Sequence, residues 1–151
     1  MVVGGSPAGS SCAWKLKQNK IETIVLDKKT FPGLKVCAGW ITPKVLKDLE
    51  LEIENYPRSI LTFKKLHFSF RGKKFAVRTR QYSIRRYEFE SDHAFITGDA
   101  AGLATLDMGE GIGPAVESGI LAAKAIIHGS RYSLKSVKKH SFTRILIPWL
   151  K

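Results

Sequence analysis

The stretch Met1-Val2-Val3-Gly4-Gly5-Ser6-Pro7-Ala8-Gly9 decides the reading of the chain. Val2 and Val3 read as a strand that stops at Gly4. Gly4, Gly5 and Gly9, with Pro7, make a tight turn, and residues 8–17 continue as a helix. Strand, glycine turn and helix start together present free backbone N–H groups and the positive end of a helix dipole. That geometry suits a dinucleotide pyrophosphate.

Working outward, residues 10–19 form a short amphipathic helix. Cys12, Ala13 and Leu16 are expected to face a sheet, and Lys15 and Lys17 to face water. Residues 21–26 read as a second strand, nearly continuous in apolar side chains at Ile24, Val25 and Leu26, as a buried parallel strand is. It ends in Asp27, 23 positions after Gly4. An acidic residue about 20 positions beyond the glycine turn, at the end of the second strand, is the ribose-binding element of a dinucleotide fingerprint. In Gly-x-Gly-x-x-Gly terms the loop reads Gly4, Ser6, Gly9. Ser6 stands where a glycine permits closest approach to the pyrophosphate, and its hydroxyl can donate to a phosphate oxygen. The same serine does not make a Gly-x-Ser-x-Gly elbow, because Ala8 occupies the last glycine position.

Farther along, residues 28–40 are irregular. Thr42 is placed to cap a helix over 43–49 with Pro43 at its first position. Residues 61–80 alternate about Arg71-Gly72-Lys73 and read as an antiparallel β-hairpin. Ten basic residues and no acidic one lie between Glu54 and Glu88. Leu66, Phe68 and Phe70 share one face of that hairpin, which favours a core face over a nucleic-acid surface. Residues 93–97 read as a strand ending in Gly98-Asp99-Ala100-Ala101-Gly102. A second glycine-rich loop, 109–113, leads into a helix over 115–128 closed by Gly129. Its small residues (Ala115, Ser118, Gly119, Ala122, Ala123) permit close packing. Its N-terminal end, from Gly111, is expected to place its dipole near negative charge on a reduced flavin ring. Asp99 is expected to accept from ribityl hydroxyls.

The 151 residues fit one domain of modest core. The formal net charge is +12, from 25 basic and 13 acidic residues, which suits nucleic acid, anionic lipid or a phosphorylated ligand. Cys12 and Cys37 make no disulfide framework, so a cytoplasmic setting is the expectation. No apolar run is long enough to span a membrane, and the immediate start of a strand leaves no room for a signal peptide. His67, His93, His128 and His140 show no ligand spacing, so no metal site is expected.

Residues 4–9, Asp27, 35–40 and 98–119 resemble the FAD-binding motifs of geranylgeranyl reductase-like flavoproteins, within the wider aromatic-hydroxylase-type family of FAD oxidoreductases. The resemblance implies an α/β fold: a partial Rossmann-like FAD-binding parallel sheet with an inserted antiparallel β-hairpin region. It implies FAD as cofactor, held by Gly4, Gly5, Ser6, Pro7, Ala8 and Gly9 at the pyrophosphate and by Asp27 and Lys28 near the adenosine ribose. Lys35, Cys37 and Ala38 would lie by the flavin, Cys37 being equally compatible with an inert buried thiol. Gly98, Asp99, Gly109, Gly111 and Ile112 would line the ribityl and ring side. Residues 86–90 match a further family stretch more loosely.

In the family a long segment separates that stretch from the Gly-Asp strand, whereas here Glu90 is followed at once by Ser91-Asp92-His93. The junction reads as an internal deletion. It leaves one truncated FAD-binding domain over 1–151: a βαβ part to residue 60, a β-rich remnant over 61–90, a second FAD-binding part over 91–130 and a basic tail over 131–151. A three-stranded sheet of order 2-1-3 is expected, with 93–97 beside the first strand and the edge of the second strand open. The implied activity is hydride transfer through flavin to an unsaturated isoprenoid lipid or a small organic substrate. The alternatives are a non-catalytic remnant with weak or no FAD binding, and a monooxygenase of the aromatic-hydroxylase type. No catalytic acid or base is assigned. The tail, basic with an apolar stretch at 145–150, is expected either to touch a membrane surface peripherally or to pack as an ordinary helix.

Overall fold

A computed structural model describes residues 1–30, 41–52, 54, 90–91, 94–105 and 110–138. The loop sequence folds as its residue types dictate. Val2–Val3 (β1) runs parallel to Val25–Leu26 (β2), Val2 opposite Val25 and Val3 opposite Leu26. The Val2 N–H donates to the Ile24 carbonyl at 2.8 Å and the Gly4 N–H to the Leu26 carbonyl at 2.7 Å. Gly4 turns out of the strand at φ +94°, a region glycine enters without a Cβ penalty.

Helix α1 (Pro7–Gln18) begins at Ser6, which is extended, with Pro7 at the first helical position. Lys15 and Lys17 in its last turn complement the helix dipole. Lys20 closes it in the left-handed conformation at φ 60°. There the Ile21 N–H reaches back to the Leu16 carbonyl at 3.1 Å and the Lys20 N–H to that of Lys17 at 3.0 Å. The short helix α2 (Pro43–Asp48) ends the same way, at Glu50. The two left-handed ends are tied together, since the Glu50 carboxylate takes Lys15 Nζ at 3.0 Å and Gln18 Nε2 at 3.1 Å.

Two short strands follow, β3 (Glu90–Ser91) and β4 (Ala94–Phe95), paired antiparallel with Glu90 opposite Phe95. A single 3-10 turn over Gly98–Ala101 leads on, and α3 (Ile112–His128) is the longest described element. Gly129 ends α3 at φ 59°, with the Ser130 N–H bonded to the Ala125 carbonyl at 3.0 Å.

Packing is organised by α1 against α3 rather than by the sheet. Cys12 and Leu16 of α1 join Ala101, Leu103, Ala122, Ala123, Ala125, Tyr132, Leu134 and Val137 in one buried cluster. Tyr132 rests edge-on against Phe95, with centroids 5.1 Å apart, and its hydroxyl donates to the Ile96 carbonyl at 2.9 Å. The core therefore continues past residue 131 to Val137. A smaller cluster joins Val45 of α2 to Val116 and Ile120 of α3, with Trp14, Leu49 and Ile112 against it.

Three expectations are corrected. Residues 94–95 hydrogen-bond to 90–91 and not to β1, so among the described residues the parallel sheet has two strands. The second strand is not buried: Ile24, Val25 and Leu26 are 65%, 43% and 48% exposed, because no described element covers their outer side. Only Val25 and Leu26 of the expected 21–26 segment keep strand pairing. The hairpin expected over 61–80, the loose match at 86–89 and the tail beyond 138 lie outside the described residues. Among the described residues no helix is long and apolar enough to cross a membrane.

Candidate functional site

At the C-terminal end of β1 the loop 4–9 curls onto the start of α1. A Cβ on Gly9 would overlap the Gly4 carbonyl oxygen and come within 3.1 Å of Val2 Cγ1, so only glycine fits between strand and helix. The Ser10 hydroxyl donates to the Gly5 carbonyl at 2.7 Å and fixes the crest of the turn. The Ser6 side chain makes no capping bond to α1 and is exposed. Pro7 has no N–H, and the N–H groups of Ala8 and Gly9 have no acceptor within the helix, so the first turn presents donors to the loop.

Asp27 closes this loop from β2. Its Oδ2 accepts from the Gly5 N–H at 2.6 Å and its Oδ1 from the Lys29 N–H at 2.8 Å. The Gly5 N–H first, and that of Lys29 second, hold the carboxyl below its ordinary value. The side chain is nonetheless exposed, and each oxygen retains a second lone pair. The Gly5 amide is thus already taken by a carboxylate of the protein, which ties β2 to the turn.

The distant motif is brought to the same place. Gly98, at φ +61°, packs so close that a Cβ there would lie 3.0 Å from the Ala8 Cβ. Its N–H donates to the buried Ser118 hydroxyl at 2.9 Å, and that hydroxyl donates onward to the Ala115 carbonyl at 2.8 Å. A Cβ on Gly119 would collide with the Ala8 carbonyl oxygen and the Ser11 hydroxyl. Ser11 Oγ lies 3.0 Å from the Ala8 carbonyl and 3.2 Å from that of Val116, 105 residues away in sequence. Asp99 is exposed, beside Gly111, where an added Cβ would stand 3.1 Å from its Oδ1. The glycine loop, which holds Asp27 at Gly5, therefore meets Gly98 at Ala8, and Asp99 follows Gly98 in the chain and stands beside Gly111.

The N-terminus of α3 differs from expectation. Glu110 Oε1 accepts from the Gly113 N–H at 3.0 Å, so a side chain of the protein already occupies that helix end. The Glu110 N–H and carbonyl are tied to Thr105, whose hydroxyl lies 3.1 Å from that N–H and whose own N–H donates to that carbonyl at 2.9 Å. Glu110 Oε2 is buried without a partner among the described residues. Ile112 packs its side chain against the Val45, Val116 and Ile120 cluster. Lys28 is exposed next to Asp27. Lys35, Cys37, Ala38 and Gly109 lie outside the described residues. Cys12 is a core thiol whose pKa burial pushes up, which makes it a poor nucleophile.

Ser11, Ser118 and Glu110 were not foreseen as polar fasteners. Glu110 precedes the Gly111 cap and accepts from the Gly113 N–H, so it does not follow the Ser/Thr-x-x-Glu spacing by which a capping box is read from sequence. The serines gave no signal of this, because each pairs a carbonyl three residues back with a backbone group far away in sequence, Val116 for Ser11 and Gly98 for Ser118.

Residues 2–65 match the family model described as an NAD(P)-binding Rossmann-like domain. Over 96 residues, 60% of this chain and 24% of the relative, the sequence is 33% identical to an uncharacterized protein of Methanosarcina barkeri. Over 50 residues, 33% of this chain and 12% of the relative, it is 36% identical to a geranylgeranyl diphosphate reductase of Rhodobacter capsulatus. The chain thus spans a quarter of the first relative's length at most and less of the second's. No solved structure gives a significant match. The N-terminal part is accordingly a Rossmann-like nucleotide-binding unit with a small parallel sheet.

Proposed function

We propose that this chain is the FAD-binding part of an oxidoreductase of the geranylgeranyl reductase-like kind. The observation that carries the reading is the convergence at Ala8 of the glycine loop and the Gly98-Asp99 turn. A site for a single mononucleotide needs only the first of these. The match of residues 2–65 and the shorter match to a geranylgeranyl diphosphate reductase support a dinucleotide and a reductive role.

The residues present fit the adenosine diphosphate half of FAD. Gly9 leaves room for the loop to meet the helix, and Asp27 is held at the loop by the Gly5 N–H. The N–H groups of residues 8 and 9 would hold the pyrophosphate, with the Ser6 hydroxyl donating beside them. Asp27, ionised at neutral pH, would accept from ribose hydroxyls through its remaining lone pairs and would repel a phosphorylated ribose. Asp99 would accept from hydroxyls of the ribityl chain. Lys35, Cys37, Ala38, Gly109 and Gly111 are proposed to border the ring. Bound FAD supplies hydride or electron transfer at its ring, and the chain's part is to position it. An isoprenoid lipid is the proposed class of substrate, met peripherally at a membrane by the basic surface.

The name of the family model favours one second reading, that the loop takes a nicotinamide dinucleotide directly. The full chain, purified and stripped of small molecules, is titrated separately with FAD, with NADH and with NADPH, and binding is followed by flavin fluorescence quenching and by calorimetry. Saturable FAD binding that weakens in Asp27→Asn is expected. Binding of a nicotinamide dinucleotide alone, NADH before NADPH given the Asp27 carboxylate, replaces FAD by the second reading, and binding of none of the three makes the chain a non-catalytic remnant.

A further inference from the structure

β2 carries a feature that nucleotide binding does not use. Its ladder to β1 employs the carbonyls of Ile24 and Leu26. Backbone polar groups alternate sides along a strand, so the N–H and carbonyl of Val25 point to the opposite edge. Among the described residues no strand pairs there. Apolar side chains surround that edge, Ile24 being 65% exposed, Val25 43% and Leu26 48%. Between it and α1 runs a groove of about 510 Å³, lined in part by Ala13, Trp14, Ile21, Thr23 and Val25. The flank of α1 that meets α3 through Cys12 and Leu16 is on the other side, and of the groove residues on α1 Trp14 alone also packs against a described helix cluster, that of Val45, Val116 and Ile120.

We propose that this edge is a homodimer interface, in which β2 pairs antiparallel with β2 of a second copy about a two-fold axis at Val25. The sequence is self-complementary in that register. Val25 faces Val25, and its outward N–H and carbonyl make this a hydrogen-bonded pair. Ile24 faces Leu26, an apolar cross-strand pair. Glu22 faces Lys28, giving one opposite-charge pair at each end of the ladder, on the same sheet face as Ile24 and Leu26. Shifting the register by two residues in either direction removes the Glu22 to Lys28 match.

The helical layer agrees with this arrangement. Helix α1 packs on both β1 and β2. A strand spacing of about 4.8 Å then sets the two α1 axes roughly 10 Å apart across the axis. That is the separation of directly packed helices, about 8–10 Å. The copies' Ala13 and Trp14 would fill each other's groove over a continuous four-stranded sheet. Lys17 and Lys20 also line the groove and oppose association, so the apolar and ladder contacts must outweigh them.

The test is sedimentation equilibrium of the full chain at physiological salt over a wide concentration range. A reversible dimer is expected. Val25→Pro removes the central outward N–H while sparing the ladder to β1, and edge strands tolerate proline. It should abolish the dimer while circular dichroism stays unchanged. Glu22→Lys should weaken dimerisation by roughly tenfold by setting like charges opposite one another, and adding Lys28→Glu should restore it. Both charge variants lie on the exposed surface, so they remain informative if the proline variant fails to fold. A monomer at every concentration overturns the proposal, whether the edge is bare or covered by the chain's own residues. So does a dimer indifferent to Glu22→Lys, or one that the paired exchange does not restore.

Discussion

The α1–α3 crossing is built from small and mixed residues and the β1–β2 sheet from wholly apolar ones, and it is the crossing that is buried. At the crossing, backbone meets backbone: Gly119 stands against the Ala8 carbonyl, Ser118 is fully buried, and Ala123 has no exposure at all. At the sheet, Val3 is 77% exposed and Ile24 65%. Small residues let two helices approach without any other element, whereas a strand is buried only by neighbours on its faces and edge. The proposed nucleotide site is hung on the closed region, and the open one carries only its acidic residue. Breaking the crossing should therefore damage both stability and binding, and changes on the sheet should touch binding alone.

The largest effect is expected at Gly119. A Cβ there meets the Ala8 carbonyl, which is backbone and cannot swing aside, so α1 and α3 must separate. Gly119→Ala should cost about 3 kcal/mol, as overpacking does at its upper range. A urea melt gives the stability, and FAD affinity should fall with it because Gly98 moves off Ala8. A melt indistinguishable from wild type would mean that the helices do not cross here.

Gly9 and Gly4 come next and separate two kinds of glycine. Gly9→Ala drives a Cβ into the Gly4 carbonyl and should cost about 2 kcal/mol. Gly4→Ala meets nothing within 4 Å, so its cost is that of a left-handed φ alone, about 1 kcal/mol. The reverse order in a melt would place the constraint at the turn and not at the strand–helix contact. Ser118→Ala should cost about 1–2 kcal/mol, because the Gly98 N–H loses its acceptor in a buried setting. Its readout is the stability difference, with accelerated amide exchange at Gly98.

Much of the crossing was legible. The spacing of Gly4 to Asp27 marks a carboxylate at the end of the second strand as a ribose ligand, and the structure places Asp27 at that strand end with its Oδ2 on the Gly5 N–H, a bond the spacing does not announce. Periodicity and Gly129 located α3, which starts three residues earlier than its apolar pattern does. What was not legible is non-local. Nothing within residues 21–26 says whether another element covers them, so Ile24, Val25 and Leu26 read as buried and are exposed. The strand at 94–95 was assigned to β1 by analogy of order, but its nearest partner in sequence, 90–91, takes its hydrogen bonds. Glu110 at the start of α3 was missed for a local reason: it stands before the helix, outside capping-box spacing, and its carboxylate fills a helix end that the pattern leaves open to a ligand.

Asp27 should give the smallest change in stability and the clearest change in binding, which tests the comparison from its open side. Its side chain is solvent-exposed, so Asp27→Asn should leave the melt nearly unchanged, while FAD affinity falls by roughly tenfold with loss of a charge-assisted acceptor. The pH dependence has a definite sign. The folded carboxyl lies below its ordinary value, held there first by the Gly5 N–H. Its contribution is therefore complete above the ordinary aspartate pKa of about 3.9. It is lost as pH falls through the lower folded value. The Gly5 amide resonance, followed by NMR during acid titration, should move upfield across that acidic window in the wild type and stay still in Asp27→Asn. A Gly5 amide that titrates near neutrality, or equally in both proteins, would mean that Asp27 does not hold the loop and that the sheet contributes nothing to the site.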